Sequence, residues 1–331
     1  MSLPKLMKPF ARPLLLIAGV VFSALVMGQD GPWPNRPIKV IVPLGPGSAA
    51  DGSGRAVMEL LSRQLGQPIV IENRAGAGGT VGSAMVAHAK PDGYTLLVHS
   101  NSHTVSASTY TVSQLGFDPA RDLVGVAPLA ITPLVFVIAA SKGVHNMLGL
   151  VEYAKARPGA INYASAGTGS ATHLGAERLR VAGGFTGTHI PMKSTAEALT
   201  EVLSGRVDYF LSPIGLSAPH IKAGKLVALA VSSSKRSNAI PAVPTTEEAG
   251  VANAGYETWM GLYAPAKTPR EIIERLNTEV AKILRSAELQ PRFDALVMSP
   301  LIMNPEEFAA YLKKDFELNA QLVKQAGLQP K

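Results

Sequence analysis

The sequence predicts an α/β protein of two similar lobes, each a mostly parallel sheet flanked by helices, with a ligand seat between them. Apolar, β-branched runs alternate with segments of helical periodicity, the pattern of strands joined by helical crossovers. A glycine-rich loop between strand and helix occurs twice, as Gly45-Pro46-Gly47-Ser48-Ala49 and 122 residues later as Gly167-Thr168-Gly169-Ser170-Ala171. The C-terminal tail carries helical signals with no strand between them, which reads as cover for an existing sheet.

In chain order, Met1 to Gly28 has the make-up of a secretory signal. Lys5, Lys8 and Arg12 form a positive start, Leu14 to Phe22 an apolar core, and Ala24, Val26 and Gly28 a cleavage region near Gly28. The apolar run is short for a membrane span, and no later segment is long and apolar enough, so the mature protein is expected to be exported, periplasmic and not membrane-embedded. The 331-residue chain has no cysteine, which excludes disulfides, thiolate catalysis and Cys-ligated metals. Net charge is +7, and removing the leader's three cations leaves +4, a mild excess that suits steering of a small anion. There is no basic run with interleaved aromatics, which speaks against nucleic acid.

The first strand is Ile38 to Val42, and Val57, Leu60, Leu61 and Leu65 mark the helix beyond its loop. Gly45 and Gly47 permit positive φ and close approach of a ligand to the backbone, and the helix start leaves amides and a dipole end that favour an anion. Pro68 to Glu72 is a second strand, followed by a glycine-rich loop from Asn73 to Thr80 and a small-residue helix. Tyr94 to Val98 is a third strand, and a polar stretch from His99 to Thr104 begins where it ends. Ligands of open parallel sheets sit outside the carboxyl ends of strands. Leu44 to Asp51, Ala77 to Thr80, and Asn101-Ser102 all fall there.

A second run begins near Leu134 to Ile138. Its short strand Ile161 to Ala164 leads into the second loop and a helix with Leu174, Leu179 and Val181. Ser194 to Glu197 has capping-box spacing. Further strands are expected at Val207 to Ser212 and Val227 to Ser232. Thr268-Pro269-Arg270-Glu271 and Asn304-Pro305-Glu306-Glu307 read as the starts of the two tail helices, with Thr268 and Asn304 as N-caps. The chain is thus divided into lobe one, residues 29–131 plus 255–331, and lobe two, residues 132–254. It crosses between them near Thr132 and near Gly255, which makes a hinge.

Several chemistries compete for these residues. An exported hydrolase of esters or amides is a rival, but a G-x-S-x-G elbow is absent, and Ser48 and Ser170 stand where N-caps stand. His173 shares a helix side with Ser170, as a pocket-rim residue or a base. His99 and His103 have metal-ligand spacing without the intervening glutamate of H-E-x-x-H, so no metal is expected. Gly45-x-Gly47-x-x-Ala50 with Glu72 resembles a dinucleotide fingerprint. Export, the stiff Pro46 and the lack of an acidic partner for the second loop argue against it, so no cofactor is expected. Asp51 is either a first-turn cap or the partner of an amino acid's ammonium group.

The ordered motifs resemble the Bug family of periplasmic solute receptors of tripartite tricarboxylate transporters. They are Pro43-Leu44-Gly45-Pro46-Gly47 with Asp51 and Arg55, Glu72 to Gly79, Pro91 to Leu96, Tyr163 to Ser170 with His173-Leu174, Gly205-Arg206-Val207-Asp208, and Ala264 to Pro269. The resemblance spans essentially the whole mature chain. It implies a periplasmic-binding-protein-like fold and a non-enzymatic receptor for a small organic acid or amino acid, serving membrane transporter subunits or a sensor kinase. The ligand carboxylate would be held between Leu44 to Asp51 and Ser165 to Ser170. Expected ligand-binding residues are Leu44, Gly45, Pro46, Gly47, Ser48, Ala49, Ala50, Asp51, Ala77, Gly78, Thr80, Asn101, Ser102, Ser165, Gly167, Thr168, Gly169, Ser170, His173 and Asp208. The family usually has an aromatic at the position of Leu44, a glycine at that of Ser48, and often Tyr-Lys-Gly where this chain has Met192-Lys193-Ser194.

Overall fold

The computed structural model describes residues 31–330, so the leader expected at 1–28 lies outside the described residues. Two sheets organise the chain. The first contains β1 (Ile38–Val42), β2 (Ile69–Asn73), β3 (Thr95–Ser100), β4 (Leu123–Thr132), β10 (Thr258–Pro265) and β11 (Ser299–Pro300), in the order β11-β4-β10-β3-β1-β2. The second contains β5 (Leu134–Ala139), β6 (Asn162–Ser165), β7 (Thr188–Pro191), β8 (Tyr209–Pro213) and β9 (Leu226–Val231), in the order β7-β6-β8-β5-β9. Both sheets are mixed. In the first, β1 is parallel to β2 and β3, while β10 runs antiparallel to β3 and β4. In the second, β6 is parallel to β7 and β8, while β5 runs antiparallel to β8 and β9. The antiparallel strands β5 and β10 are the ones by which the chain enters each sheet from the other. β4 passes into β5 through Pro133 alone, and the return path is pinned where Tyr256 N donates to Ser232 O (2.8 Å) and Ser232 N to Leu134 O (2.9 Å).

The helices are α1 (Ala49–Leu65), α2 (Thr80–Ala87), α3 (Ser102–Thr109), α4 (Val112–Leu115), α5 (Met147–Lys155), α6 (Ala171–Gly183), α7 (Thr195–Leu203), α8 (Ile214–Lys222), α9 (Arg270–Leu284), α10 (Gln290–Leu296) and α11 (Pro305–Ala326). Period-two alternation along the strands decides what each packs against. Val40 and Val42 face a cluster with Val57 and Leu61 of α1 and Leu276 and Val280 of α9. The intervening Ile41 joins Val86 of α2, Trp259 and Phe308 of α11 on the opposite face. In the second sheet Phe136 and Ile138 pack with α5 and α6, and Val135 and Val137 with α7 and α8. Gly54 lets α1 settle on the sheet, since a Cβ there would stand 3.3 Å from Val98 Cγ1.

Three local expectations are corrected. Thr268 does not cap α9: the helix begins at Arg270 after an extended Pro269, and the Thr268 hydroxyl has no partner among the described residues. Glu197 does not close a box onto Ser194; its carboxylate accepts from Lys193 N at 2.9 Å, one residue further out. The tail holds three helices and the short β11 where two helices were expected. Asn304 and Glu307 do form the expected capping box.

Candidate functional site

The two glycine-rich loops fold alike. Ser48 accepts from Asp51 N and caps α1; Ser170 accepts from His173 N and caps α6. In both, the N–H of the second glycine turns back onto the side chain four residues on: Gly47 N donates to Asp51 Oδ2 (3.0 Å) and Gly169 N to His173 Nδ1 (3.2 Å). Asp51 and His173 therefore hold equivalent positions, and each locks the shape of its own loop.

The loops meet across the lobes. Ser102 Oγ, from the first turn of α3, accepts from Ala171 N at 2.8 Å, so the first amide of α6 is met by a hydroxyl of the other lobe. Tyr110 Oη donates to Thr168 O at 3.1 Å. Backbone rides on backbone at Gly78, where a Cβ would lie 2.2 Å from Thr168 O. Gly45 is close to lobe two as well, its added Cβ falling 2.8 Å from Ser194 Cβ. A small cavity of ≈ 20 Å³ is left between them, room for about one water molecule. Leu44, Ser48, Ala49, Ala50, Ser100, Ser102, Thr258 and Met260 line it from lobe one. Leu134, Ala166, Ser170, Ala171, Thr172, Thr195 and Pro213 line it from lobe two.

Five helices begin at this cavity. Ala49, Ser102, Ala171 and Thr195 are the first residues of α1, α3, α6 and α7, and Pro213 precedes α8. Each N-terminus is equivalent to roughly half a positive charge. Asp51 and Gly52 amides of α1 are met by Ser48, and those of Ala49 and Ala50 have no partner among the described residues. The site therefore attracts an anion with backbone amides and carries no cationic side chain in its lining.

Of the expected residues, Leu44, Ser48, Ala49, Ala50, Ser102 and Ser170 line the cavity. Gly45, Pro46, Gly47, Gly167, Thr168 and Gly169 form the turns behind those seats, and Ala77 and Gly78 the opposing seam. Thr80 closes its own turn by donating to Ala77 O at 3.1 Å. Ser165 braces the second loop: its hydroxyl donates to Gly167 O and accepts from Gly167 N. His189 Nε2 lies 2.6 Å from the same hydroxyl.

Asp51, Asn101 and Asp208 lie apart from the cavity lining. Burial works against ionisation of Asp51, but the Arg55 guanidinium, Asn73 amide and Gly47 N–H outweigh it and hold the carboxyl below the usual range. Asn101 points to the crossing, donating to Tyr256 Oη and Glu257 O, each at 3.1 Å. Asp208 precedes β8, whose other end reaches the cavity at Pro213, a strand length of about 17 Å away. It ties together Lys142 Nζ and Asn162 N, both at 2.8 Å.

Thr195, Thr258, Thr172, Ser100 and Met260 were missed by sequence reasoning. Thr195 stood in the recognised cap Ser194 to Glu197 and could have been found there. Thr258 begins β10, whose Gly261 and Pro265 disguise a fully buried strand.

The family model described as the tripartite tricarboxylate transporter family receptor (TctC) matches residues 54–328. The chain belongs to this receptor family. It is 33% identical over 295 residues to the protein BugT of Bordetella pertussis, covering 89% of this chain and 90% of that one. The structure of periplasmic binding protein BugD superposes with a TM-score of 0.85 at 31% identity, over 90% of this receptor and 100% of BugD. MatC from Rhodopseudomonas palustris with bound malate gives a TM-score of 0.83 at 30% identity, covering 88% of this chain and 99% of that one. The expected two-lobed fold and receptor class thus hold. Among the described residues, no helix of the receptor is long and apolar enough to cross a membrane.

Proposed function

We propose that the receptor is exported to the periplasm, binds a small organic acid between its lobes without transforming it, and delivers it to a membrane transporter of the tripartite tricarboxylate type or to a sensor. Residues 29–131 with 255–331 act as one lobe and 132–254 as the other, closing about the crossings near Thr132 and Gly255. One observation carries the reading: five helix starts converge on an interlobe cavity with free amides at Ala49 and Ala50 and no charged side chain in its lining. The cavity of ≈ 20 Å³ holds about one water as it stands, so the lobes part to admit the acid; the carboxylate then sits on those amides, and Ser48 and Ser170 hold the loops that present them. The malate seen in MatC belongs to the same class of anion.

Thermal unfolding against a panel of organic acids tests the proposal. At a ligand concentration of 100 Kd the stabilisation is about 2.7 kcal/mol, a shift of several degrees. Ester hydrolysis that disappears in Ser170→Ala, or a panel in which no acid stabilises the protein, overturns it.

A further inference from the structure

We propose that Asn73 is a positioning residue of the anion seat, fastening both ends of the first glycine-rich loop to the strand that leads into the seam between the lobes. The inference rests on the carboxylate reading above and deepens it, by naming what holds the seat in shape before an acid arrives.

Asn73 is the last residue of β2 and pairs with Val42, where β1 ends and the loop begins. Its side-chain amide is engaged at both atoms. Nδ2 donates to Leu44 O and to Asp51 Oδ1, both at 3.0 Å, and Oδ1 accepts from Arg55 Nη2 at 2.9 Å. The partners fix this orientation, because a carbonyl and a carboxylate oxygen only accept and a guanidinium only donates.

The two points held by Nδ2 bracket the seat. Leu44 lines the cavity at the start of the loop, and Asp51 stands in the first turn of α1, just past the Ala49 and Ala50 amides. Asp51 carries the brace inward by accepting from Gly47 N at 3.0 Å. Gly45 and Gly47 give the stretch between these points wide backbone freedom, and Gly47 sits at φ +77°. Binding an anion on such a loop costs the entropy of ordering it, unless the protein has fixed it beforehand.

The brace comes from far along the chain. In lobe two, Ser165, Thr172 and His173 fasten the matching loop from its own strand end and helix. In lobe one, Asn73 lies 22 residues beyond Asp51. The backbone that follows it runs to Gly78, where it meets Thr168 of lobe two. The first loop and the interlobe seam thus share one anchor, and the shape of the seat is set together with the segment that closes on lobe two.

Calorimetric titration of the mature receptor with succinate, malate, glutamate and benzoate, beside urea unfolding of the ligand-free protein, tests the assignment. Asn73→Ala removes both donations and should weaken the tightest-binding of these acids by about 10-fold. Asn73→Asp keeps the size and the acceptor for Arg55 but not the donors; it should weaken binding at least as much, and it carries the test if the alanine variant does not fold. Asn277→Ala is the control for a merely structural asparagine. Asn277 Nδ2 donates to Val126 O (2.9 Å) and Met303 O (3.0 Å) in the same lobe, and neither residue lines the cavity. That variant should lose stability with its affinity unchanged. Hydrogen exchange at the Gly47 amide of the ligand-free protein should quicken in the Asn73 variants by more than in Asn277→Ala. Asn73 variants that bind like the wild type overturn this inference and leave the carboxylate reading standing. Equal affinity losses in Asn73→Ala and Asn277→Ala also overturn it, since the loss then follows stability alone. If the wild type binds none of these acids, the carboxylate reading fails and this one falls with it.

Discussion

Alanine at position 78 tests whether the seam between the lobes is part of the ligand-binding state. Gly78 has φ +67°, and its added Cβ would lie 2.2 Å from Thr168 O and 3.2 Å from Ser170 N, both backbone atoms that cannot swing aside. Ordinary contact begins near 3.4 Å, so the lobes must part by about 1.2 Å at this point. That separation carries the Ser102 Oγ to Ala171 N bond, now 2.8 Å, and the Tyr110 Oη to Thr168 O bond, now 3.1 Å, beyond hydrogen-bonding range. Two such bonds contribute about 1–3 kcal/mol, which corresponds to roughly 5- to 150-fold in affinity. The left-handed backbone of a non-glycine residue costs a further ~1–2 kcal/mol, but it does so in open and closed receptor alike and lowers stability without changing affinity. Titration calorimetry reads the affinity of Gly78→Ala, and small-angle scattering reads whether ligand still reduces the radius of gyration. A variant that binds and compacts like the wild type would show that the Gly78–Thr168 seam plays no part in closure.

Two further predictions concern pH. Asp51→Asn should lower stability by about 1–3 kcal/mol at pH 7, measured by urea unfolding, because a charge-assisted pair with Arg55 and a bond from Gly47 N are weakened. The folded pKa lies below the unfolded value near 3.9, so the contribution is complete above that value and is lost as pH falls through the folded one. The gap between variant and wild type should therefore close at acid pH, and a constant gap refutes the charge as its origin. Burial holds His103 and His173 down to about 4 from 6.5. Between these values the unfolded chain binds protons that the folded one does not, so stability falls as pH drops from 6.5, by up to ~1.4 kcal/mol per pH unit for each histidine. His103→Asn should remove one histidine's share of that slope between pH 6.5 and 5; an unchanged slope means that His103 titrates freely in the folded protein.

What was legible in the sequence is what short stretches encode. The alternation of strands and helices, the paired loops, and the caps at Ser48, Ser170 and Asn304 each depend on residues within a few positions of one another, so local chemistry determines them. Asn304 kept its box because Glu307 needs only its own helical turn, whereas the Thr268 cap failed because the extended Pro269 places the helix start one residue later. Tertiary structure decided what depends on distant partners. Ser102 meets α6 across 69 residues of sequence, and Asn101 meets Tyr256 across 155. β10 reads poorly as a strand by itself, with its glycine and terminal proline, and is one because β3 and β4 offer it two ladders. Asp51 is open to two roles in the sequence, first-turn cap or ligand partner, and in the fold Gly47, Arg55 and Asn73 converge on it. Asp208, close to the loops in the order of motifs, sits at the far end of a strand from them. Thr195 and Thr258 are 63 positions apart and carry no local signal of a shared site. Both residues line the same cavity because the helix and strand they begin belong to lobes that fold against each other, and a contact of that kind is a property of the packed chain.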